Sequence, residues 1–287
     1  MNRIRRDQAE LDAEFRLDKV TDLDAIFARR ARASEAALAS FEAVRDIAYG
    51  PNSGETLNLF PAPRGGTPAP VQLFIHGGFW SSLAAADFSF VAAAFVPRGA
   101  AVAIIDYPLI PSVGLGDIVQ SCLRSIGYLY GHASEHGVDP ERIFVSGNSA
   151  GGHLVAEAMD RARLRAAGLP VDAIKGGTAI SGLYDLAPVA ASFRNELLQF
   201  TPDDVAAYSP LLRTPEIVAP LLVAVGGDEM GEFLDQSARF AEHCREHGTP
   251  VEHVVVSGTN HITVVLDAFA EPETPLNRAV LRQMGLG

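Results

Sequence analysis

Three observations predict an α/β fold with a mostly parallel central sheet and helices on both faces. Residues 71–75, 101–105 and 221–225 are largely apolar runs without alternation, the pattern of strands covered on both sides, and 251–256 reads as the last strand. Helical periodicities separate these runs, and alternating strand and helix signals belong to a parallel sheet. The third observation is Ile143-Phe144-Val145-Ser146-Gly147-Asn148-Ser149-Ala150-Gly151-Gly152-His153-Leu154. There a β-branched and aromatic run meets Gly-x-Ser-x-Gly and passes directly into an Ala-rich helical pattern, so strand, tight turn and helix follow without a linker.

Taken in order, residues 1–45 carry no strand signal. Thr21-Asp22-Leu23-Asp24 resembles a capping box, and Leu23, Ile26, Phe27, Arg30 and Ala31 follow at helical spacing, so one or two helices are expected. This N-terminal helical segment is expected to lie on the main body as part of a cap. A turn cluster at 49–54 precedes a short strand at 56–60, and a Pro/Gly-rich loop at 61–70 leads to the strand at 71–75. A helix is expected at 88–95, a strand at 101–105, a helix at 118–130 and the strand into the Gly-x-Ser-x-Gly turn at 142–146. The pattern continues with a helix over 150–167, a strand at 173–180 weakened by Gly176-Gly177, and a strand at 221–225. A helix at 233–247, a strand at 251–256 and a helix near 278–283 complete it.

Length and composition narrow the function. A chain of 287 residues that is 48% hydrophobic can bury a large core and is expected to form one domain, 1–287. The net charge of -12 argues against nucleic acid and anionic membrane as partners, since both select basic surfaces. The expected partner is a small molecule, and pairing with a second copy as a homodimer is left open. Cys122 and Cys244 have no C-x-x-C spacing, so neither a disulfide framework nor a zinc-cysteine site is indicated, and a cytoplasmic location is the simplest expectation. Met1-Asn2-Arg3-Ile4-Arg5-Arg6 is basic, but no apolar stretch follows it, so no secretory signal is expected, and no run is long enough to span a membrane.

In a parallel sheet ligands bind at the carboxyl ends of the strands, so residues just beyond each strand carry the chemistry. Ser149 stands at the apex of a nucleophile elbow, where Gly147 and Gly151 leave room for strand and helix to approach, and the helix N-terminus favours negative charge at the site. His76-Gly77-Gly78-Phe79-Trp80 follows the strand at 71–75. Such a loop supplies a backbone N–H to an oxyanion hole, here from Gly78 or Phe79, with Ala150 supplying the other. Asp228 and Glu229 follow the strand at 221–225, and His261 follows the last strand. Serine, acid and histidine in that chain order are expected of an α/β-hydrolase, with Ser149 attacking, His261 moving the proton and the acid holding the imidazole. Asp is the commoner acid in this role, and Glu spans a wider gap, so both candidates stand at this point.

The other seven histidines fit structural roles. His76 opens the oxyanion loop and is expected to brace it, and His153 is expected to pack one turn beyond Ser149. His132 and His136 end a helix, where a cation is favourable, and His253 falls inside a strand. His243 and His247 form His-x-x-Glu-His with Glu246, nominally a zinc pattern. The buried stripe of that helix is Phe233, Ser237, Phe240, Ala241 and Cys244, which leaves the pair on its flank, so no metal and no cofactor are expected. Trp80, Tyr107 and Tyr184 all follow strand ends and are expected to line the mouth of the site against a flat, aromatic substrate. No Arg or Lys adjoins these motifs, so a substrate carboxylate would need a partner from elsewhere, such as Arg194 or the N-terminal segment.

The motifs resemble those of the kynurenine formamidase (arylformamidase) group of α/β-hydrolases. The resemblance covers most of the chain. It is carried by His76 to Trp80, Tyr49-Gly50-Pro51 with Gly54-Glu55-Thr56-Leu57, Asp106-Tyr107-Pro108-Leu109 and Gly147 to Leu154. Ser181-Gly182-Leu183-Tyr184-Asp185-Leu186, Asn195-Glu196, Ser209-Pro210-Leu211, and Glu232-Phe233 with Gln236-Ser237 extend it. Asn58 stands where relatives usually have Asp, and Asn148 where His is common before the serine. The resemblance implies hydrolysis of N-formyl-L-kynurenine without a metal or organic cofactor, while bacterial relatives are often plain esterases or amidases. Counted back from Glu232-Phe233, it assigns the acid to Glu229.

Overall fold

The computed structural model describes residues 7–17, 22–63, 65, 68–214 and 216–287. Eight strands form one sheet: β1 (Val44–Ala48), β2 (Thr56–Phe60), β3 (Ala69–Ile75), β4 (Ala101–Ile105), β5 (Val138–Asn148), β6 (Ile174–Ile180), β7 (Leu221–Gly226) and β8 (Val251–Val256). Their order across the sheet is β1-β2-β4-β3-β5-β6-β7-β8. β2 runs antiparallel to both β1 and β4, and every pairing from β4 to β8 is parallel. Helices fill the connections: α1 (Gln8–Glu14), α2 (Leu23–Ser40), α3 (Ala92–Phe95), α4 (Leu115–His132), α5 (Ala150–Ala158) and α6 (Arg161–Ala166). The short α7 (Ala187–Ala190), α8 (Asn195–Leu198) and α9 (Pro202–Tyr208) follow, then α10 (Gly231–Glu246) and α11 (Pro275–Gln283).

The unbroken apolar runs have a direct physical cause. Successive side chains of a strand point to opposite faces, and here each face has its own core. Val71, Leu73 and Ile75 of β3 join the core that includes Leu123 of α4, Leu154 of α5 and Phe240 of α10. Phe74 joins the other core, with Phe88, Phe95, Phe269 and Val280. β4 divides the same way, Ala101, Ala103 and Ile105 against Val102 and Ile104. A strand between two cores has no face toward solvent, and the polar side chain within β3, Gln72, is buried and donates to Ser146 Oγ of β5 at 2.7 Å.

Four elements differ from the sequence reading. β1 was not expected: it is a five-residue edge strand, mostly exposed, and its residues Val-Arg-Asp-Ile-Ala carry little hydrophobic signal. The helix expected over 150–167 is two helices, because Asp160 breaks the first and caps the second, its carboxylate accepting from Ala162 N–H at 2.8 Å. The segment at 88–95 forms 3-10 turns over Ala85–Val91 before α3. Asp22 stands at the start of α2 with φ +59° and makes no side-chain cap bond, while Thr21 and the basic start Met1 to Arg6 lie outside the described residues. No helix among the described residues is long and apolar enough to cross a membrane.

α5 is buried along its whole length and is tied to its surroundings by two polar side chains. Glu157, with no exposure, pairs with Arg163 and Arg213, and Arg163 also donates to Ala207 O at 2.7 Å beside α9. His153 donates through Nε2 to Tyr208 O at 2.8 Å and meets the Trp80 ring edge-on at 5.2 Å between centroids. At its N-terminus α5 passes so close to the sheet that a Cβ on Gly151 would overlap Ile75 O, and one on Gly147 would overlap Gly151 O.

Two predictions follow from this packing. Backbone atoms cannot swing aside as a side chain can, so Gly151→Ala is expected to lose more than about 2 kcal/mol in urea unfolding. Gly168→Ala, at φ +72° with open space around it, loses about 1 kcal/mol, from backbone strain alone. The second concerns His153, whose burial pushes its pKa down from 6.5 to about 4. The unfolded chain then binds more protons than the native one between those values, so stability falls as pH drops through that window. Between pH 7 and 5 the loss from this group is about 2 kcal/mol, and His153→Leu flattens the pH dependence of the urea midpoint over that range.

Candidate active site

The site is assembled where β3, β5, β6, β7 and β8 end. β5 delivers Ser149 in a strained backbone conformation, φ +59° and ψ −120°, at the mouth of α5. A non-glycine residue persists there only because its neighbours over-determine it: Ser149 N–H donates to Ile180 O at 2.8 Å, and Ser149 O accepts from His153 N–H. Ala150 is the first residue of α5, so its N–H has no acceptor within the helix.

The β3 loop lies directly against the serine. A Cβ on Gly77 would stand 3.1 Å from Ser149 Cβ and 2.8 Å from Asn148 O, so this approach requires glycine. Gly78, Phe79 and Trp80 follow with φ of +106°, +49° and +55°. Three consecutive left-handed residues turn the chain tightly, and Gly78 O is held by Ser81 N–H at 3.0 Å and Ser82 Oγ at 2.9 Å. The N–H groups of Gly78 and Phe79 donate to no described residue. His76 braces the loop from behind: Nδ1–H donates to Gly77 O at 2.7 Å, and the ring stacks on Tyr107 at 4.3 Å. Burial holds this imidazole below its ordinary pKa, favouring the neutral ring.

His261, buried beyond β8, donates through Nδ1 to Glu229 Oε2 at 2.7 Å. The Glu229 side chain is fully buried, whereas Asp228 beside it is exposed. Glu229 Oε1 in turn accepts from Ser181 Oγ at 2.5 Å and from Gly226 N–H at 2.7 Å. Ser181 follows Ile180, the residue whose carbonyl receives the Ser149 N–H, so the end of β6 joins the serine backbone to the acid. Phe233 of α10 packs on the imidazole with ring centroids 4.2 Å apart.

Trp80, Tyr107 and Tyr184, expected to line the mouth, are instead packed inside. Trp80 has no exposed surface and lies against His153 and Phe200. Tyr107 donates its hydroxyl to His76 O at 2.9 Å, and Tyr184 stacks on Phe240 at 3.9 Å. The strand ends are roofed by the loops that follow them, and large aromatic rings fill the space behind those loops rather than open toward solvent. Phe79 is also buried, beneath the Arg194 guanidinium 4.2 Å above its ring.

Sequence reasoning gave three participants no role in the site. Phe233 was read as part of the buried stripe of its helix, Gly77 was named only within a motif, and Ser181 was seen only as the first residue of Ser-Gly-Leu-Tyr-Asp-Leu. For Ser181 the signal was its position, one residue beyond a buried strand that neighbours the elbow strand. The N-terminal segment also reaches this region. Phe15 is fully buried with its ring edge toward Phe233 at 6.3 Å, and its carbonyl accepts from Arg194 Nε and Nη2 at 3.1 and 2.9 Å. Asp12 accepts from Phe193 N–H and Glu14 from Glu232 N–H, each at 2.8 Å. Of the departures from the family pattern, Asn58 accepts from Asp46 N–H at 3.1 Å, and Asn148 is buried with Nδ2 unpartnered. The His243 and His247 pair lies on the flank of α10, His243 bonded to Arg213 O at 2.8 Å and His247 exposed.

Comparison with known proteins agrees with this geometry. A family model described as alpha/beta hydrolase fold matches residues 72–265. The chain is 26% identical to the kynurenine formamidase of Danio rerio, over 88% of this chain and 85% of that protein. It is 25% identical to an isoprenylcysteine alpha-carbonyl methylesterase of Arabidopsis thaliana, over 77% of this chain and 57% of that one. Among solved structures, a candidate thioesterase from a Silicibacter species superposes with a TM-score of 0.81 at 29% identity, over 93% of this chain and 97% of that one. An esterase of Pyrobaculum calidifontis does so with a TM-score of 0.70 at 19% identity, over 92% of each chain, a likeness that bears on the fold alone. With the family model covering well over half its length, the chain belongs to the α/β-hydrolase fold family, and within it is similar to the kynurenine formamidases.

Proposed function

We propose that this protein is a serine hydrolase that cleaves small amide or ester bonds through an acyl-enzyme, with aryl formamides such as N-formylkynurenine as its preferred substrates. The observation that carries this reading is the buried Glu229–His261 hydrogen bond, joined through Ile180-Ser181 to the backbone of a strained serine at a helix mouth. Ser149 Oγ attacks the acyl carbon while His261 takes its proton. Glu229 keeps Nδ1 protonated, so that Nε2 is the base, and stabilises the imidazolium that forms. Negative charge on the carbonyl oxygen is met by the N–H of Ala150 and of Gly78 or Phe79. The imidazolium then protonates the departing amine or alcohol, and water removes the acyl group by the reverse sequence.

The formamide preference rests on similarity to the kynurenine formamidases and on the tight β3 loop, since a formyl carbon needs little acyl space. The methylesterase and esterase relatives favour a second reading, in which the substrate is the ester, amide or carbamate of another small aromatic molecule. In both readings segment 1–45 contributes to a cap through Phe15, which backs the Phe233 ring lying on His261.

A fluorophosphonate is expected to label wild-type protein at Ser149, and Ser149→Ala to abolish both labelling and turnover, with EDTA having no effect. Glu229→Gln should lower kcat by on the order of 10⁴ with the fold intact, because the imidazole tautomer is no longer held. Asp228→Asn should change kcat less than about twofold, as expected of an exposed side chain. The reverse ranking, in variants of matched thermal stability, would move the acid to Asp228.

The substrate class is tested with a panel of formanilide, p-nitrophenyl acetate and p-nitrophenyl palmitate. The first two should be cleaved and the palmitate should be poor, with Phe15→Ala raising KM for the short substrates. Rapid palmitate turnover with inert formanilide would replace this reading with a lipase-like one.

A further inference from the structure

We propose that Ser181 is a positioning residue of this site: its hydroxyl clamps one carboxylate oxygen of Glu229 so that the other stays on His261. The inference rests on the serine-hydrolase reading and deepens it.

Glutamate has one more rotatable bond than aspartate, so a glutamate serving this role must be pinned at its far end to keep Oε2 on the imidazole. The clamp is built from two donors on Oε1, the Gly226 N–H at 2.7 Å and the Ser181 hydroxyl at 2.5 Å. The backbone donor is the last residue of β7, three residues before Glu229. Ser181 directly follows the neighbouring strand β6, and so ties the acid to a second strand of the sheet.

Its own placement is firm. Ser181 N–H donates to Ala224 O at 2.7 Å, the hydroxyl is fully buried, and the preceding carbonyl receives the Ser149 N–H. One dipeptide, Ile180-Ser181, thus sets the nucleophile's backbone and the acid's side chain in a common frame. The backbone supports the same view. Ser181 has φ +51°, a region where glycine is at ease and serine is strained by about 1 kcal/mol. Glycine would satisfy the turn, and what serine adds is the hydroxyl. The segment beyond it is held by Gln236 of α10, whose Oε1 accepts from Tyr184 N–H at 2.6 Å and Asp185 N–H at 2.8 Å, so Ser181 has little freedom to move away.

The ionisable groups around the pair are few. Glu229 has His261 as its one ion-pair partner among the described residues. Tyr184 from the β6 loop, Asp228 on the same loop, Glu232 at the start of α10 and Glu14 of α1 are the others nearby. Among the described residues no Arg or Lys pairs with this carboxylate, so its hydrogen-bond donors hold it in place. Removal of the hydroxyl leaves Oε1 one donor short. The freed Glu229 side chain can then turn, and Oε2 no longer keeps His261 in one orientation.

The test compares Ser181→Ala and Ser181→Gly with wild type in steady-state hydrolysis of p-nitrophenyl acetate. Both variants are expected to lose about tenfold in kcat with KM within about twofold, the split that arises when substrate binding is kept and the base is no longer held in place. Glycine fits the left-handed backbone, so Ser181→Gly reports on the hydroxyl even if the alanine variant folds poorly. Wild-type kcat in Ser181→Gly, or a rise in KM with kcat unchanged, overturns the inference. Turnover retained by Ser149→Ala would remove the serine-hydrolase reading itself, and it is read without reference to the Ser181 variants.

Discussion

The structure depends on one close approach, that of the α5 N-terminus to the ends of β3 and β5. Gly147 and Gly151 allow backbone to touch backbone there, and the chain can turn from strand to helix in a single residue only because nothing bulkier intervenes. That residue is Ser149, and its strained φ and ψ are the geometric consequence. The same contact brings the β3 loop against the serine through Gly77 and leaves the first N–H of α5 unspent. The placing of Ser149, the open backbone donors and the strain thus share one cause, which is steric.

Around this contact the loops are fastened by polar side chains that bond to backbone. Gln236 holds Tyr184 and Asp185, Ser209 Oγ accepts from Leu186 N–H at 2.9 Å, and Asn195 binds both the N–H and the carbonyl of Phe200. Asp106 accepts from Ala85 N–H at 2.8 Å, and the Tyr49 hydroxyl donates to Asp106 O at 2.5 Å. Irregular backbone near a buried site must find partners other than a ladder. These residues are also the ones through which the sequence resembles the kynurenine formamidases. Motifs that look chemical in sequence are here mostly the fastenings of the loops that carry the chemistry.

The polar connections continue from the site to the N-terminal segment. Glu14 accepts from the backbone at the start of α10, Glu232 accepts from Gln236 at 2.8 Å, Gln236 holds the β6 loop, and that loop carries Ser181. α1 itself is short and buries little beyond its terminal Phe15. An isolated helix of that length is unstable in water, so its order depends on Asp12, Glu14 and the Phe15 carbonyl finding partners on the main body.

The parallel sheet, the strand–turn–helix at Ser149 and the glycine-containing loop after β3 were legible in the sequence because each has a local signature: apolar runs without alternation, and small residues clustered where a strand ends. β1 was not legible, since an exposed edge strand buries too little to need a hydrophobic pattern, and the break at Asp160 was hidden by a helical periodicity that runs through it. The sequence by itself determined which strand ends carry a serine, a histidine and an acidic pair, and in what chain order. It could not say which way those side chains turn. Only the tertiary structure decided that Glu229 faces His261 while Asp228 faces solvent, that Trp80, Tyr107 and Tyr184 fill the space behind the loops, and that Ser181 reaches the acid. In a strand or helix the backbone repeat sets side-chain direction, but in a loop direction depends on partners far away in the chain, here Ser181 and His261 for Glu229 and Gln236 for the loop at Tyr184.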